Sequence, residues 1–154
     1  MDLNGVRILS DGPLPLLSAV YDQLSIGDIV DKFVEWDEDK CFLTPGQALK
    51  ALVLNILTDR KPLYRISEFY ADKDVEKLIG KGVTATHTNE FCIGRMLDKV
   101  YDAGSKKLYS SVALTALDIE NIEVKSIHWD TTSKSFQWQY IMPERSKEDD
   151  GVDG

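Results

Sequence analysis

The sequence predicts a mainly α chain: a helical N-terminal domain over residues 1–120, a β-hairpin over 121–143, and an acidic, disordered tail over 144–154. Three features predict it. Apolar residues recur at helical spacing from Leu16 to Leu117. Thr44-Pro45-Gly46-Gln47 is a complete helix start: Thr44 caps, Pro45 takes the first helical position, and Gln47 reaches back to close a capping box. From Ile122 the period becomes two, and Ser135-Phe136-Gln137-Trp138-Gln139-Tyr140 alternates without a break.

Composition sets the outer limits. With 43% hydrophobic and 29% charged residues, the 154-residue chain has enough apolar surface for a core. The net charge is -8; the tail, with five acids and two bases, contributes -3, and the body -5. An acidic chain is poorly suited to tight, non-specific binding of a phosphate backbone, which needs clustered Lys and Arg. Cys41 and Cys92 belong to no C-x-x-C unit, and with two His a structural zinc site is not expected. Both cysteines read as free thiols in a reducing compartment. Met1-Asp2-Leu3-Asn4-Gly5 lacks the basic start and apolar run of a signal peptide. No segment reaches the ~18 apolar residues of a membrane span. The expectation is a cytoplasmic protein with no membrane partner.

In chain order, residues 1–13 form an extended lead-in that ends in the turn Asp11-Gly12-Pro13. Pro15 sits in the first turn of a helix whose apolar face is Leu16, Leu17, Val20 and Leu24. Ser25 caps a second helix with Ile29, Val30, Phe33 and Val34 inward. Residues 35–40 are polar and read as a solvated loop. Ala48 to Leu57 is apolar nearly all round, with Lys50 and Asn55 the exceptions, so this helix is expected to be central and buried on every side. Pro62 opens a helix through Leu63, Ile66, Phe69 and Tyr70, and Val75, Leu78 and Ile79 form a short further turn. Gly80-Lys81-Gly82 breaks the chain; with no G-K-[ST] and no preceding strand it is not a phosphate loop. Thr88-Asn89 caps a helix with Cys92, Ile93, Met96, Leu97, Val100 and Tyr101 as its stripe. Gly104 ends that helix. Ser105 caps the last one, with Leu108, Tyr109, Val112, Ala113, Ala116 and Leu117 on one face.

The hairpin consists of a strand over Val124–Asp130, a hydroxyl-rich turn, and the Ser135–Tyr140 strand. It is too small to stand alone. It reads as the opening of a second, α/β domain. On the first strand His128 and Asp130 share the face opposite Ile127 and Trp129. Asp130, with Thr131, Thr132 and Ser133 behind it, is either a metal ligand in need of partners or an acid that caps the turn. His128 is either a packed strand histidine or a support for that carboxylate. The one basic cluster with an aromatic in it is Arg60, Lys61 and Arg65 around Tyr64. It is either a phosphate contact or a solvated corner neutralised by Asp59 and Glu68.

Several of these stretches form a pattern: Asp11-Gly12-Pro13-Leu14-Pro15; Thr44-Pro45-Gly46-Gln47 running into Ala51-Leu52-Val53-Leu54-Asn55-Ile56-Leu57; Arg60-Lys61-Pro62-Leu63-Tyr64-Arg65; Gly94-Arg95-Met96-Leu97-Asp98-Lys99; and His128-Trp129-Asp130-Thr131-Thr132-Ser133. In this order and spacing they resemble the N-terminal part of a family of bacterial insertion-sequence transposases. These are DDE-type enzymes whose RNase H-like catalytic domain comes after a helical domain of unassigned role. The resemblance implies that the hairpin begins a truncated RNase H-like domain, and that Asp130 is the first of three catalytic, metal-binding carboxylates. Strand cleavage and transfer use two divalent ions that clamp the attacking and leaving oxygens. Such ions take hard oxygen ligands, with Mg²⁺ the default. The second Asp and the Glu are expected beyond residue 154, so Mg²⁺ belongs to the full-length enzyme and no cofactor is expected for this chain alone. Relatives typically carry Gly-Glu-Tyr where this chain has Trp138-Gln139-Tyr140.

Two functions are therefore expected in turn. One is the N-terminal portion of a DDE transposase, inactive alone, whose helical domain binds the terminal inverted repeats of the element's DNA through Arg60, Lys61 and Arg65, or mediates assembly as a homo-oligomer. The alternative is a stand-alone helical interaction or regulatory module, such as a truncated product that pairs with the full-length transposase and inhibits it.

Overall fold

The structure is a computed structural model that describes residues 9–37, 39 and 41–123. It is mainly helical, with no strand among the described residues. These belong to one unit, which ends at Glu123. The helices are α1 (Leu14–Gln23), α2 (Ile26–Phe33), α3 (Pro45–Thr58), α4 (Ile66–Phe69), α5 (Val75–Leu78), α6 (Glu90–Ala103) and α7 (Ser105–Ile119), with a 3-10 turn at Leu63–Arg65. The expected hairpin and tail lie outside the described residues, apart from the first three positions of the 121–143 span. No helix among the described residues is long and apolar enough to cross a membrane.

α3 is the element around which the others pack: it touches α1, α2, α4 and α6. Its start is the one expected. Gln47 N–H donates to Thr44 Oγ1 at 3.2 Å, and Thr44 N–H donates to Gln47 Oε1 at 3.1 Å. Its burial is not the one expected. The two polar exceptions are inside: Lys50 is 5% exposed and Asn55 1%. Two apolar residues are outside: Ile56 is 48% exposed and Leu57 60%. The buried polar groups are tolerated because both find partners. Lys50 Nζ reaches both carboxylate oxygens of Asp22 at 2.7 Å, and Asn55 bonds the chain beyond the helix.

The same rule turns α1 on its axis. Its buried positions are Leu14, Ser18 and Tyr21, while Leu16 and Val20, expected inside, face out. Ser18 Oγ donates to Leu78 O at 2.8 Å and Tyr21 OH to Gly46 O at 2.9 Å. Two satisfied hydroxyls thus occupy the face that an apolar count assigns to leucine and valine. In α2 the expected start is right but the cap is not: Ser25 has a left-handed backbone (φ 53°) and its side chain makes no capping bond. Val30 and Val34 are buried there. The helix expected from Pro62 is a 3-10 turn and then the single turn of α4, with Ile66, Phe69 and Tyr70 in the core. α6 is capped by Asn89, whose Oδ1 accepts from Cys92 N–H at 3.0 Å, and it stops at Gly104 (φ 94°). Its inward stripe is Cys92, Ile93 and Met96; Leu97 and Tyr101 are exposed. α7 lies on α2 and α6, burying Leu108 and leaving Tyr109 exposed.

The free-thiol expectation is corrected. Cys41 and Cys92 are joined as a disulfide, with Cα atoms 5.8 Å apart across a sequence separation of 51. That Cα spacing suits the bond. Nothing in the spacing of the two residues announces it, because the segment before α3 is brought to the start of α6 only by the packing of α3 on α6.

α2 and α3 approach closely, backbone to backbone. A Cβ on Gly46 would lie 2.5 Å from Gly27 O and 2.7 Å from Gly27 Cα. Gly46 N–H donates to Asp31 Oδ1 at 2.6 Å, and its carbonyl takes the Tyr21 hydroxyl. Gly46→Ala is therefore expected to destabilise by about 2 kcal/mol or more, through backbone displacement rather than lost burial; the urea midpoint measures it. Two buried phenols give a pH signature. Tyr70 OH donates to Ala51 O at 2.7 Å. Burial alone raises its pKa, while Tyr21 is raised by burial and then by the charges of Asp31 and Asp22. The folded chain keeps these protons where the unfolded chain, at an ordinary value of about 10, loses them. Their stabilisation is whole below about pH 10 and is lost as pH rises above it. The expected midpoint is flat to about pH 9 and then falls, and Tyr70→Phe makes the fall shallower.

Candidate nucleic-acid interface

The chain leaves α3 through a corner built by one buried side chain. Asn55 Nδ2 donates to Lys61 O at 2.8 Å and Asn55 Oδ1 accepts from Lys61 N–H at 3.0 Å. The Asn55 carbonyl also accepts from the N–H groups of Asp59 and Arg60, at 3.2 and 2.8 Å. A single buried residue therefore fixes both ends of the 59–61 turn. Thr58 Oγ1 returns to Leu54 O at 2.7 Å. Pro62 then leads into the 3-10 turn, and the fully buried Ile66 anchors the start of α4 in the core.

This clamp presents Arg60, Lys61 and Arg65, the residues expected from sequence, on one connection, with Tyr64 71% exposed between them. Arg60 and Arg65 are exposed and Lys61 is half-buried. Arg60 is held at φ 55°, a left-handed backbone that costs a non-glycine residue on the order of 1 kcal/mol. Its Nε donates to Ile56 O at 3.3 Å, at the carbonyl end of α3.

The electrostatics are mixed, as a solvated corner would have them. Lys61 Nζ lies 3.4 Å from Asp59 Oδ2, and Arg65 Nε lies 2.7 Å from Glu68 Oε2. The hydrogen bond to Glu68, and then its charge, raise the Arg65 pKa. Three cations thus face two carboxylates, and the negative end of the α3 dipole points the same way. Both pairs reach solvent, which screens them and leaves them weak. A groove of about 470 Å³ beside α6 offers no better anion site: it is lined by Glu35, Asp37, Asp98 and Asp102 against Arg95 and Lys99, with Trp36 at its wall.

Asp130 and His128 lie outside the described residues. Among the described residues no group of three or more His, Cys, Asp or Glu stands ready to hold a metal ion. The residue that sequence reasoning missed is Asn55. Its one signal is a polar amide inside an otherwise apolar run, one turn before the helix ends.

Residues 7–114 match a family described as "Domain of unknown function (DUF4277)", more than two thirds of the chain, and the chain belongs to that family. No curated protein and no solved structure matches it.

Asn55→Ala removes both side-chain bonds to Lys61 and leaves that residue's N–H and C=O without them. It is expected to cost about 2–3 kcal/mol and to speed amide exchange at Lys61. Asn55→Asp keeps the acceptor for Lys61 N–H but sets a carboxylate against Lys61 O, so it should not rescue the corner. Denaturation and hydrogen exchange read the two effects separately.

Proposed function

We propose that this member of the DUF4277 family is the N-terminal portion of a DDE transposase, and that its helical domain touches the ends of a mobile element's DNA through the Arg60–Arg65 corner. One observation carries the reading. Arg60 occupies a backbone conformation where glycine is less costly, it is exposed, and a buried asparagine is spent on holding it there. A strained, over-determined position is a reason to look for a role in its side chain. The motif resemblance supports the same reading. On it, residues 121–143 open an RNase H-like sheet, Asp130 is the first of three carboxylates for Mg²⁺ in the full-length enzyme, and the protein works in the cytoplasm. The 154 residues alone would bind without cleaving.

A second reading has its own observation. Phe91, Tyr101, Tyr109 and Leu114 of α6 and α7 are each more than 60% exposed. Exposed apolar side chains bind protein partners where they adjoin one another, and on that basis the second reading is an interaction module that pairs with a copy of itself or with a full-length transposase.

Gel-shift titration against a duplex carrying the terminal inverted repeat separates them. The expected result is a shift at low salt, with log affinity falling against log salt by about 0.9 for each phosphate contact. Replacing Arg60, Lys61 and Arg65 with Gln should lower that slope by two to three contacts' worth. No shift at low salt, with self-association intact in sedimentation, would sink the DNA reading and leave the interaction module.

A further inference from the structure

We propose that Cys41 and Cys92 form a redox modification site: a disulfide that low-molecular-weight thiols open and close in the folded protein. It is independent of what the corner binds. Cys41 sits half-buried in the segment between α2 and α3, while Cys92 lies in the first turn of α6 and is 3% exposed. One sulfur is therefore carried on a surface segment and the other on the core. On the cytoplasmic reading proposed above, the pair sits in a thiol-rich compartment, where disulfides are mostly transient or sensing ones.

Two other features hold the Cys41 segment to the body: Leu43 is fully buried in the core, and Phe42 stacks on His87 with ring centroids 4.1 Å apart. Within the segment itself, Trp36 Nε1 donates to Leu43 O at 3.0 Å. None of these needs the S–S bond. With the bond open, these contacts keep the two thiols within reach of one another: Cys92 belongs to the core with Leu54, Ile66, Ile93 and Met96, and Cys41 packs against it. That is the arrangement a reversible pair requires.

Opening is thiol–disulfide exchange. An external thiolate attacks Cys41 Sγ, the more accessible side, and forms a mixed disulfide; Cys92 leaves as a thiolate and takes a proton from water. A second external thiolate attacks the external sulfur of the mixed disulfide, and Cys41 leaves and is protonated. The protein disulfide gains two electrons and two protons, and two external thiols become one external disulfide. Closing is the reverse, with glutathione disulfide as the oxidant. The consequence is mechanical: the oxidised form ties the segment that carries the α3 cap to α6 across 51 residues.

The test is equilibration of the native protein in glutathione redox buffers, with mass-tag alkylation and hydrogen exchange as readouts. The expected result is one two-electron transition between zero and two alkylatable thiols. In the reduced form, exchange should be faster over 35–43, and the melting temperature lower by on the order of 10 °C. Cys41→Ser should show neither change with redox state. Because Cys41 is only half-buried, this variant tests the site even if Cys92→Ala fails to fold. Two alkylatable thiols that persist in glutathione disulfide would overturn the proposal. So would a bond that resists millimolar reduced glutathione until the chain unfolds, or equal exchange over 35–43 in both forms.

Discussion

The fold depends on how closely α2 and α3 approach at Gly27 and Gly46. There is no room for a Cβ at Gly46, and two elements, α1 and α2, make three contacts with its backbone. The Asp31 carboxylate of α2 takes its N–H, the Tyr21 hydroxyl of α1 gives to its carbonyl, and Gly27 lies against its Cα. The position lies inside the capping box that starts α3. The residue that lets the helices touch is thus also the one that α1 and α2 bond. Asp31 there meets an N–H at the positive end of a fourteen-residue helix, where a carboxylate is favoured. Moving α3 by a few tenths of an ångström would loosen all three contacts together. It would also shift Lys50, one turn on, whose ammonium is buried and depends on Asp22.

The legibility of each element depends on the kind of signal it carries. Helix starts are legible where the cap chemistry is local, as at Thr44 and Asn89, because both partners lie within four residues. Helix faces are poorly legible where burial is decided by a partner far along the chain. Ser18 is inside because Leu78 O, sixty residues away, accepts its proton. Lys50 is inside because Asp22 is there. Periodicity counts apolar residues, so it places Leu16 and Val20 inward and has no means to weigh a hydroxyl with a distant acceptor. The 41–92 disulfide is the extreme case of the same limit.

The candidate site is legible in its residues and not in its construction. Arg60, Lys61 and Arg65 stand out in an acidic chain, and the carboxylates that blunt them, Asp59 and Glu68, are close in sequence. The clamp is not visible in that way. In the sequence Asn55 is only an exception in an apolar helix. In the fold its amide spans the N–H and C=O of Lys61, as a paired backbone would, and so turns a loose helix exit into a fixed one. Of the two features that make the corner distinctive, the charges are in the sequence, and the left-handed Arg60 emerges only from the fold.

The charge balance limits what such a corner could contribute. A body of net charge about -5 repels a phosphate backbone in most orientations, and three cations set against two carboxylates add only a small local excess. If the corner meets DNA, the long-range field does little to steer it there, and counterion release from two or three contacts is a modest source of affinity. Rigidity then matters more than charge. A guanidinium held by its backbone loses less freedom on binding than one on a mobile loop, so a few fixed contacts set orientation even where they supply little affinity. The rest of the affinity would have to come from other surfaces brought to the same DNA, which is the arrangement in which linked sites gain most from one another. On the proposed reading, a small, stiff corner with a slight excess of positive charge would orient the domain on DNA, and other surfaces would supply the affinity.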